Sequence, residues 1–257
     1  MENSNLNIEY EGRAISTSDF LKFIIKDSIK TFNELTAWKE NDYLEFKKLL
    51  KELKDVNGTH NIKSTEKGDK LEILVRFIIR KTYFFKVYGN VTTGTNEIDQ
   101  VVILSEEGKQ ALKQFQISRE LIPIYSDLFL CECKNYKSSL GVTWIGKFYG
   151  LLNSCDCNFG IIFSAKGLTG KEDEWRNSFG LIRVFNMIEK YRHNRRFNII
   201  EFNIKDYEKI ASGINFFNLV EAKINAMTIA TQHEQLLYDN KHEAENKIKT
   251  LIQEISI

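Results

Sequence analysis

The sequence is short of several things, and each shortage narrows what it can be. It has no run of about 18 apolar residues, so no membrane span is expected. Its first residues, MENSNLNIEYEG, lack the basic-then-apolar profile of a secretory signal. The expectation is a cytoplasmic protein whose four cysteines stay reduced. An excess of one charge sign is missing too: the formal net charge is +1, so a nucleic-acid partner would need positive charge concentrated locally. There is one proline, Pro123, beside abundant Lys, Asn and Ile. That composition follows from an AT-rich coding sequence and points to no mechanism. Internal repeats and low-complexity segments are absent. The four histidines (His60, His193, His233, His242) show no ligand spacing, so no histidine metal site is expected. What is there is 42% hydrophobic and 28% charged, enough for a core and too ordered a balance for wholesale disorder. The length, 257 residues, suits one sizeable domain with appendages or two small ones.

Hydrophobic spacing predicts helices over about 18–54, with Leu21, Ile25, Ile29 and Phe32 as one stripe and Phe46, Leu49, Leu50 and Leu53 as another. The polar stretch 55–67, which contains Asn57-Gly58, reads as a linker. A helix then starts near Gly68, burying Leu71, Leu74, Val75 and Ile78, with Glu72 bordering that stripe. Strands are predicted at 84–88, 98–104 and 128–134, and the polar, partly helical interval 105–127 reads as an insertion between two of them. A helix over 142–153 precedes FGIIFS (159–164), a fully apolar run suited to a strand buried on both faces. A helix over 173–191, a strand at 198–202 and a helical stretch over 206–257 complete the pattern. In the last, Ile248, Leu251, Ile252 and Ile255 form a narrow stripe, suited either to packing on the domain or to a short dimer seam.

The chemistry-bearing segments are LFLCECKNYK (128–137) and NEIDQVVIL (96–104). A strand puts side chains i and i+2 on one face, so Glu132 and Lys134 point one way and Cys131 and Cys133 the other. Asp99 stands just ahead of its own apolar run. Two carboxylates and a lysine at strand ends are what a magnesium-dependent phosphodiester hydrolase needs: the carboxylates hold a hard cation, and the lysine positions or deprotonates the attacking water. The bland alternatives are an ion pair on an edge strand for Glu132 and Lys134, a turn residue for Asp99 and a solvated helix residue for Glu72. The CxC pairs 131/133 and 155/157 lack the spacing of structural zinc sites; packing suits the first pair, and the second is undetermined. GVTWIGK (141–147) fits the letter of a phosphate-binding loop, but Phe148 stands where Ser or Thr should hold Mg²⁺.

In the order KGDKLEILVRFII, TTGTNEIDQVVIL, CECKNYK and WIGKFYGLLNSCDCNFGIIFSAKGLTG, the region 65–212 resembles the PD-(D/E)XK restriction-endonuclease-like nucleases, and within them the Mrr-type restriction endonuclease domains. It departs in having Ile98 rather than proline before Asp99, and a long interval from Asp99 to Glu132. The resemblance implies an α/β protein with a mixed central sheet flanked by helices: a helical region 1–64, a nuclease domain 65–212 and a helical tail 213–257. It implies that Asp99 and Glu132 bind Mg²⁺ (Mn²⁺ substituting), with the backbone carbonyl of Cys133 as third ligand. Lys134 would orient water and offset transition-state charge, and Glu72 would support the site or bind a second metal. The implied activity is endonucleolytic hydrolysis of DNA in bacterial restriction or antiphage defence, as a homodimer or with a partner subunit that recognises the target. The alternatives are an RNA or single-stranded DNA nuclease with the same site, or a non-catalytic nucleic-acid-binding subunit that keeps the fold. Candidate phosphate contacts are Lys137, Lys147 on the helix after the E-x-K strand, Ser164 and Lys166 at the glycine-rich turn AKGLTGK, and Arg192, Arg195 and Arg196 in KYRHNRR (190–196). For Lys147 and the KYRHNRR cluster, plain solvated helix positions weigh equally.

Overall fold

The computed structural model describes residues 7–10, 13–59, 61–94 and 97–237, with side chains from residue 27 onward. The stripe Ile248, Leu251, Ile252 and Ile255 and the side chains of Leu21 and Ile25 lie outside the described residues. The chain opens with a two-stranded antiparallel ribbon, β1 (Asn7–Tyr10) and β2 (Arg13–Ser16), which the sequence pattern does not signal. Helices α1 (Thr17–Thr36), α2 (Glu40–Gly58) and α3 (Ser64–Arg80) follow. The expected linker over 55–67 is shorter than the polarity suggests. Helix α2 continues through Asn57-Gly58, because Leu53 and Val56 are still being buried, and α3 starts at Ser64 rather than near Gly68.

The centre is a five-stranded sheet in the order β3 (Phe85–Thr92), β4 (Glu97–Leu104), β5 (Leu128–Lys134), β6 (Phe159–Ser164) and β7 (Asn198–Phe202). Strand β4 runs antiparallel to both of its neighbours, β3 and β5, and β5, β6 and β7 run parallel. Helices α4 (Glu106–Gln114), α5 (Val142–Ser154), α6 (Asn177–Arg192), α7 (Ile204–Ala211) and α8 (Phe216–Ile229) complete the described chain, with short 3₁₀ turns at Arg119–Leu121 and His233–Leu236. The architecture is mixed α/β, a mixed sheet flanked by helices. Strand β5 is its middle strand, so Glu132 and Lys134 are not an edge-strand ion pair.

The long connection between Asp99 and Glu132 does not separate their strands. The Ser105 hydroxyl caps α4 by accepting the Gly108 N–H at 2.9 Å. Ile117, Ile122 and Ile124 are buried on the return path, and the Leu104 N–H donates to the Asp127 carbonyl at 2.7 Å. Strands β4 and β5 then pair from Ile103↔Leu128 to Gln100↔Cys131.

Each sheet face has its own cover. On the Glu132 face α5 packs so closely on β6 that a Cβ on Gly160 would lie 2.6 Å from the Phe148 ring. The Cys131/Cys133 face is covered by α3, and both thiols are buried there, as expected for small apolar side chains. Phe85, Phe129 and Phe159 meet edge-to-face across that face at 5.2 and 5.8 Å. The N-terminal helices share this core: Phe32 stacks on Phe84 at 5.6 Å and on Phe217 of α8 at 5.8 Å. All six residues of β6 are buried, as its uninterrupted apolar run predicts. No helix among the described residues is long and apolar enough to cross a membrane.

Candidate active site

The pairing of β4 with β5 stops at Gln100↔Cys131, one residue short of Asp99. Beyond it the strands diverge, and the Asp99 carboxylate replaces the missing main-chain partner: Asp99 Oδ2 accepts the Cys133 N–H at 2.7 Å. On β3, across from this point, Asn90 adopts a left-handed conformation (φ 53°), which asparagine tolerates. The same Asp99 oxygen accepts from Lys134 Nζ at 3.1 Å, and Lys134 Nζ lies 2.8 Å from Glu132 Oε1. One ammonium group is thus shared by two carboxylates from neighbouring strands, all three side chains being largely buried. Residue 133 turns its N–H toward Asp99, and in a strand its C=O points to the same side.

Glu72 approaches from α3. The Gln100 side chain, wholly buried, donates from Nε2 to the Glu72 carbonyl at 3.0 Å and so ties α3 to β4. Arg76 reaches the Glu72 carboxylate at 4.0 Å, passing over β3 where a Cβ on Gly89 would lie 2.3 Å from its guanidinium. Burial, then the charges of Asp99 and Asp69, raise the pKa of Glu72 against the pull of Arg76 and Lys134. Glu132 is raised by burial and by Asp99, with Lys134 opposing. For Lys134, burial alone would lower the pKa, but Glu132 and Asp99 outweigh it and hold the amine protonated. Three carboxylates face Lys134 and Arg76, which leaves the cluster negative and partly desolvated. That donor set suits a hard divalent cation. Asp99, Glu132 and the Cys133 carbonyl are the groups that could hold it. Glu72 stands behind them, since no tight three-carboxylate group forms around Asp99 among the described residues.

Of the candidate phosphate contacts, Lys137 is exposed in the loop after β5, and Lys166 is exposed in the turn after β6, its carbonyl accepting from the Ser139 hydroxyl at 3.0 Å. Lys147 Nζ lies 4.8 Å from the centre of the Trp144 ring, and Lys134 Nζ lies 5.5 Å from the same ring, so the indole links that helix lysine to the site. Ser164 must be corrected as a groove residue. It is buried, with its hydroxyl accepting the Gly167 N–H at 2.8 Å and donating to Glu201 at 3.3 Å, so it shapes the turn instead of facing solvent. Arg192, Arg195 and Arg196 are not brought to the carboxylates. They lie ahead of β7, whose first residue, Asn198, aligns with Phe159, at the opposite end of the parallel strands from Lys134↔Ser164. GVTWIGK lies in the first turns of α5 with Gly141 as its N-cap, so it forms no loop around a phosphate.

Sequence reasoning missed Gln100, Asn135 and Trp144. Asn135 donates to the Lys67 carbonyl of α3 at 2.7 Å, a second tie between that helix and the E-x-K strand. It also missed a buried ionic network beyond the ends of β6 and β7. His233 Nδ1 lies 2.8 Å from Glu172 and its Nε2 lies 3.2 Å from Asp206, while Lys223 Nζ lies 3.0 Å from Asp206 and 3.7 Å from Glu172. Glu172, His233 and Glu234 bring ligand atoms within 4.8 Å of one another, but Lys209 and Lys223 already supply positive charge there. This arrangement is an ion-pair network that pins the 3₁₀ turn.

No family model matches the chain, and no solved structure matches it. The chain is similar to an uncharacterized protein of Methanocaldococcus jannaschii, MJ1664, with 27% identity over 171 residues, which is 66% of this chain and 69% of the other.

Proposed function

We propose that the protein is a metal-dependent nuclease that hydrolyses DNA phosphodiester bonds, built on a restriction-endonuclease-like core and acting in the cytoplasm. The observation that carries this is Asp99 taking the Cys133 N–H where β4 and β5 part, with Lys134 held between Asp99 and Glu132. A bound Mg²⁺ or Mn²⁺ would polarise the phosphoryl oxygen and acidify a water molecule. Asp99, Glu132 and the Cys133 carbonyl would hold that ion. Lys134, kept protonated by its two carboxylates, acts as a charged donor toward the phosphate or the attacking water, so its role is positioning rather than proton abstraction. Glu72, fixed through Gln100, keeps the cluster negative. Lys137, Lys147 and Lys166 give the open end of the site positive charge for the flanking backbone. A homodimer would cut both strands of a duplex, and a restriction or antiphage system with a target-recognising partner suits an enzyme without an evident reading module.

A specific observation favours a second reading. Tyr136, next to Lys137, is exposed beside the E-x-K strand with its ring 5.4 Å from Trp144, over which Lys147 lies. Paired aromatics among lysines form a stacking platform for unpaired bases, and so favour single-stranded DNA or RNA. Incubation with Mg²⁺ or Mn²⁺ and matched duplex DNA, single-stranded DNA and RNA decides the substrate. The expected result is cleavage of duplex DNA that disappears in Asp99→Ala and Lys134→Ala. Preferential RNA cleavage would transfer the site to the second reading, and equal activity of wild type and Asp99→Ala would leave a binding subunit.

A further inference from the structure

Along the β7 edge of the sheet, α6, the start of β7 and the end of α8 line an open cavity of about 800 Å³, whose Arg195–Arg196 part lies at the far end of the parallel strands from Asp99. It falls within the roughly 300–1,000 Å³ range of small-molecule sites. Arg183, Lys190, Arg195 and Arg196 line it, and among the described residues no carboxylate does. Arg195 is partly neutralised by Asp156 at 3.2 Å and Glu189 at 4.0 Å, whereas Lys190 and Arg196 make no ion pair among the described residues. Arg196 is held against the Tyr125 ring, 4.1 Å from its centre. Asn194, in a left-handed turn (φ 49°), sets the path of the two arginines, and Asn186, Asn225 and Thr228 add neutral hydrogen-bonding groups to the wall.

The rim is built. Arg183 is 2% exposed, and its guanidinium donates to the Glu174 carbonyl at 3.0 Å and to the Glu172 carbonyl, which leaves Nε unpartnered. An unmatched buried donor of this kind is unusual and costly. The same guanidinium lies 5.5 Å from the centre of the Trp175 ring. The loop that carries Trp175 is pressed onto α6 at Gly180, where a Cβ would lie 2.4 Å from the Trp175 carbonyl carbon. Yet Trp175 is 58% exposed, and Tyr191 is 73% exposed on the same cavity. A buried arginine and a glycine contact therefore hold a large aromatic ring out in solvent beside unpaired cations. Core packing has no need of that arrangement.

We propose that this cavity binds a free nucleoside phosphate, whose ring stacks on Trp175 or Tyr191 and whose phosphates meet Lys190, Arg195 and Arg196. Planar rings stack on exposed aromatics, guanidinium groups take phosphate oxygens in pairs, and the wall amides suit a base edge. The arginine end of the site is separate from the carboxylate cluster, since β6 alone, six residues long, spans about 17 Å between the two ends, and none of Asp99, Glu132 and Lys134 lines the cavity. Ligand at this end therefore binds independently of metal at the other.

The test is titration of the full chain with ATP and with inorganic tripolyphosphate in buffer containing EDTA, read by calorimetry and tryptophan fluorescence. ATP should bind once per chain and more tightly than tripolyphosphate, because the ring contributes. Trp175→Ala and Lys190→Glu, both at exposed positions, should each weaken ATP by ~10-fold or more, while Asp99→Asn should bind it as wild type does. Absence of ATP binding at millimolar concentration would overturn the proposal. So would binding that survives both cavity variants or is lost in Asp99→Asn. A single-stranded oligonucleotide that binds through Trp175 and is not displaced by ATP would reassign the cavity to a nucleic-acid track.

Discussion

At the residue scale the candidate site turns on the division of labour between Asp99 and Lys134. Asp99 Oδ2 holds both the Cys133 N–H and the Lys134 ammonium, so it positions the strand as well as offering a ligand. Lys134 is a counter-charge and no ligand. Calorimetry with Mn²⁺ should therefore show affinity reduced by ~10-fold or more in Asp99→Ala and retained or strengthened in Lys134→Ala, which leaves the carboxylates uncompensated. Equal loss in both variants would refute the assigned roles. Gln100 belongs at this scale too: adjacent to Asp99 but on the opposite face, it fixes Glu72 through the main chain of α3.

At the scale of elements, the 3₁₀ turn His233–Leu236 and helices α7 and α8 are joined by the Glu172, Asp206, Lys223 and His233 network. Lys223 lies under the Phe202 ring and is almost wholly buried. Removing one member of a buried ion-pair set leaves the others uncompensated, so Lys223→Ala should cost roughly 3–5 kcal/mol in a denaturant titration. Burial alone would lower the pKa of His233, but its hydrogen bonds to Asp206 and Glu172 outweigh burial and raise it above 6.5. A raised folded-state value means that the stabilisation is complete below about pH 6.5 and fades as pH rises through the folded pKa. Burial pushes Glu201 up to about 7, and ionising it as pH rises from 4.5 works in the same direction. The melting temperature should fall as pH increases above 6.5. Because Glu201 stays in place, His233→Gln should flatten that fall only in part; an unchanged slope would show that His233 does not carry it.

On the scale of the whole molecule, one hydrophobic core runs from Phe32 and Phe46 through the sheet to Phe216, Phe217, Leu219 and Val220. The region 65–212 carries the E-x-K strand, but α3 packs against α2, and the sheet edge at β7 packs against α8. Excising 65–212 would expose those faces to water at about 25 cal/mol per Å² of apolar surface. The excised piece should therefore be aggregated or molten, with no cooperative thermal transition, whereas a chain spanning 1–237 should melt in one step. Cooperative unfolding of the 65–212 piece would show that the flanking helices are dispensable.

Legibility followed locality. Strands 128–134, 159–164 and 198–202 were readable to the residue, because each carries a short apolar run between polar segments, uninterrupted in the interior strand β6. The ribbon of β1 and β2 was not, since four-residue strands carry too little pattern, and polarity overstated the linker before α3 because a half-buried helix can be polar. Glu132 and Lys134 were readable as a pair because the pleat alone puts i and i+2 on one face. Gln100, Asn135 and Trp144 act through contacts with other elements, and His233 reaches Glu172 across 61 residues. By itself, then, the sequence determined which side chains share a strand face, down to the two cysteines turned away from the carboxylates. Only the tertiary structure decided at which end of the sheet each charge falls. KYRHNRR lies opposite the carboxylates because β6 and β7 run parallel to β5, so each crossover returns the chain to the end where those strands begin. Strand direction and neighbour order come from helices packing on both faces, which no local pattern specifies.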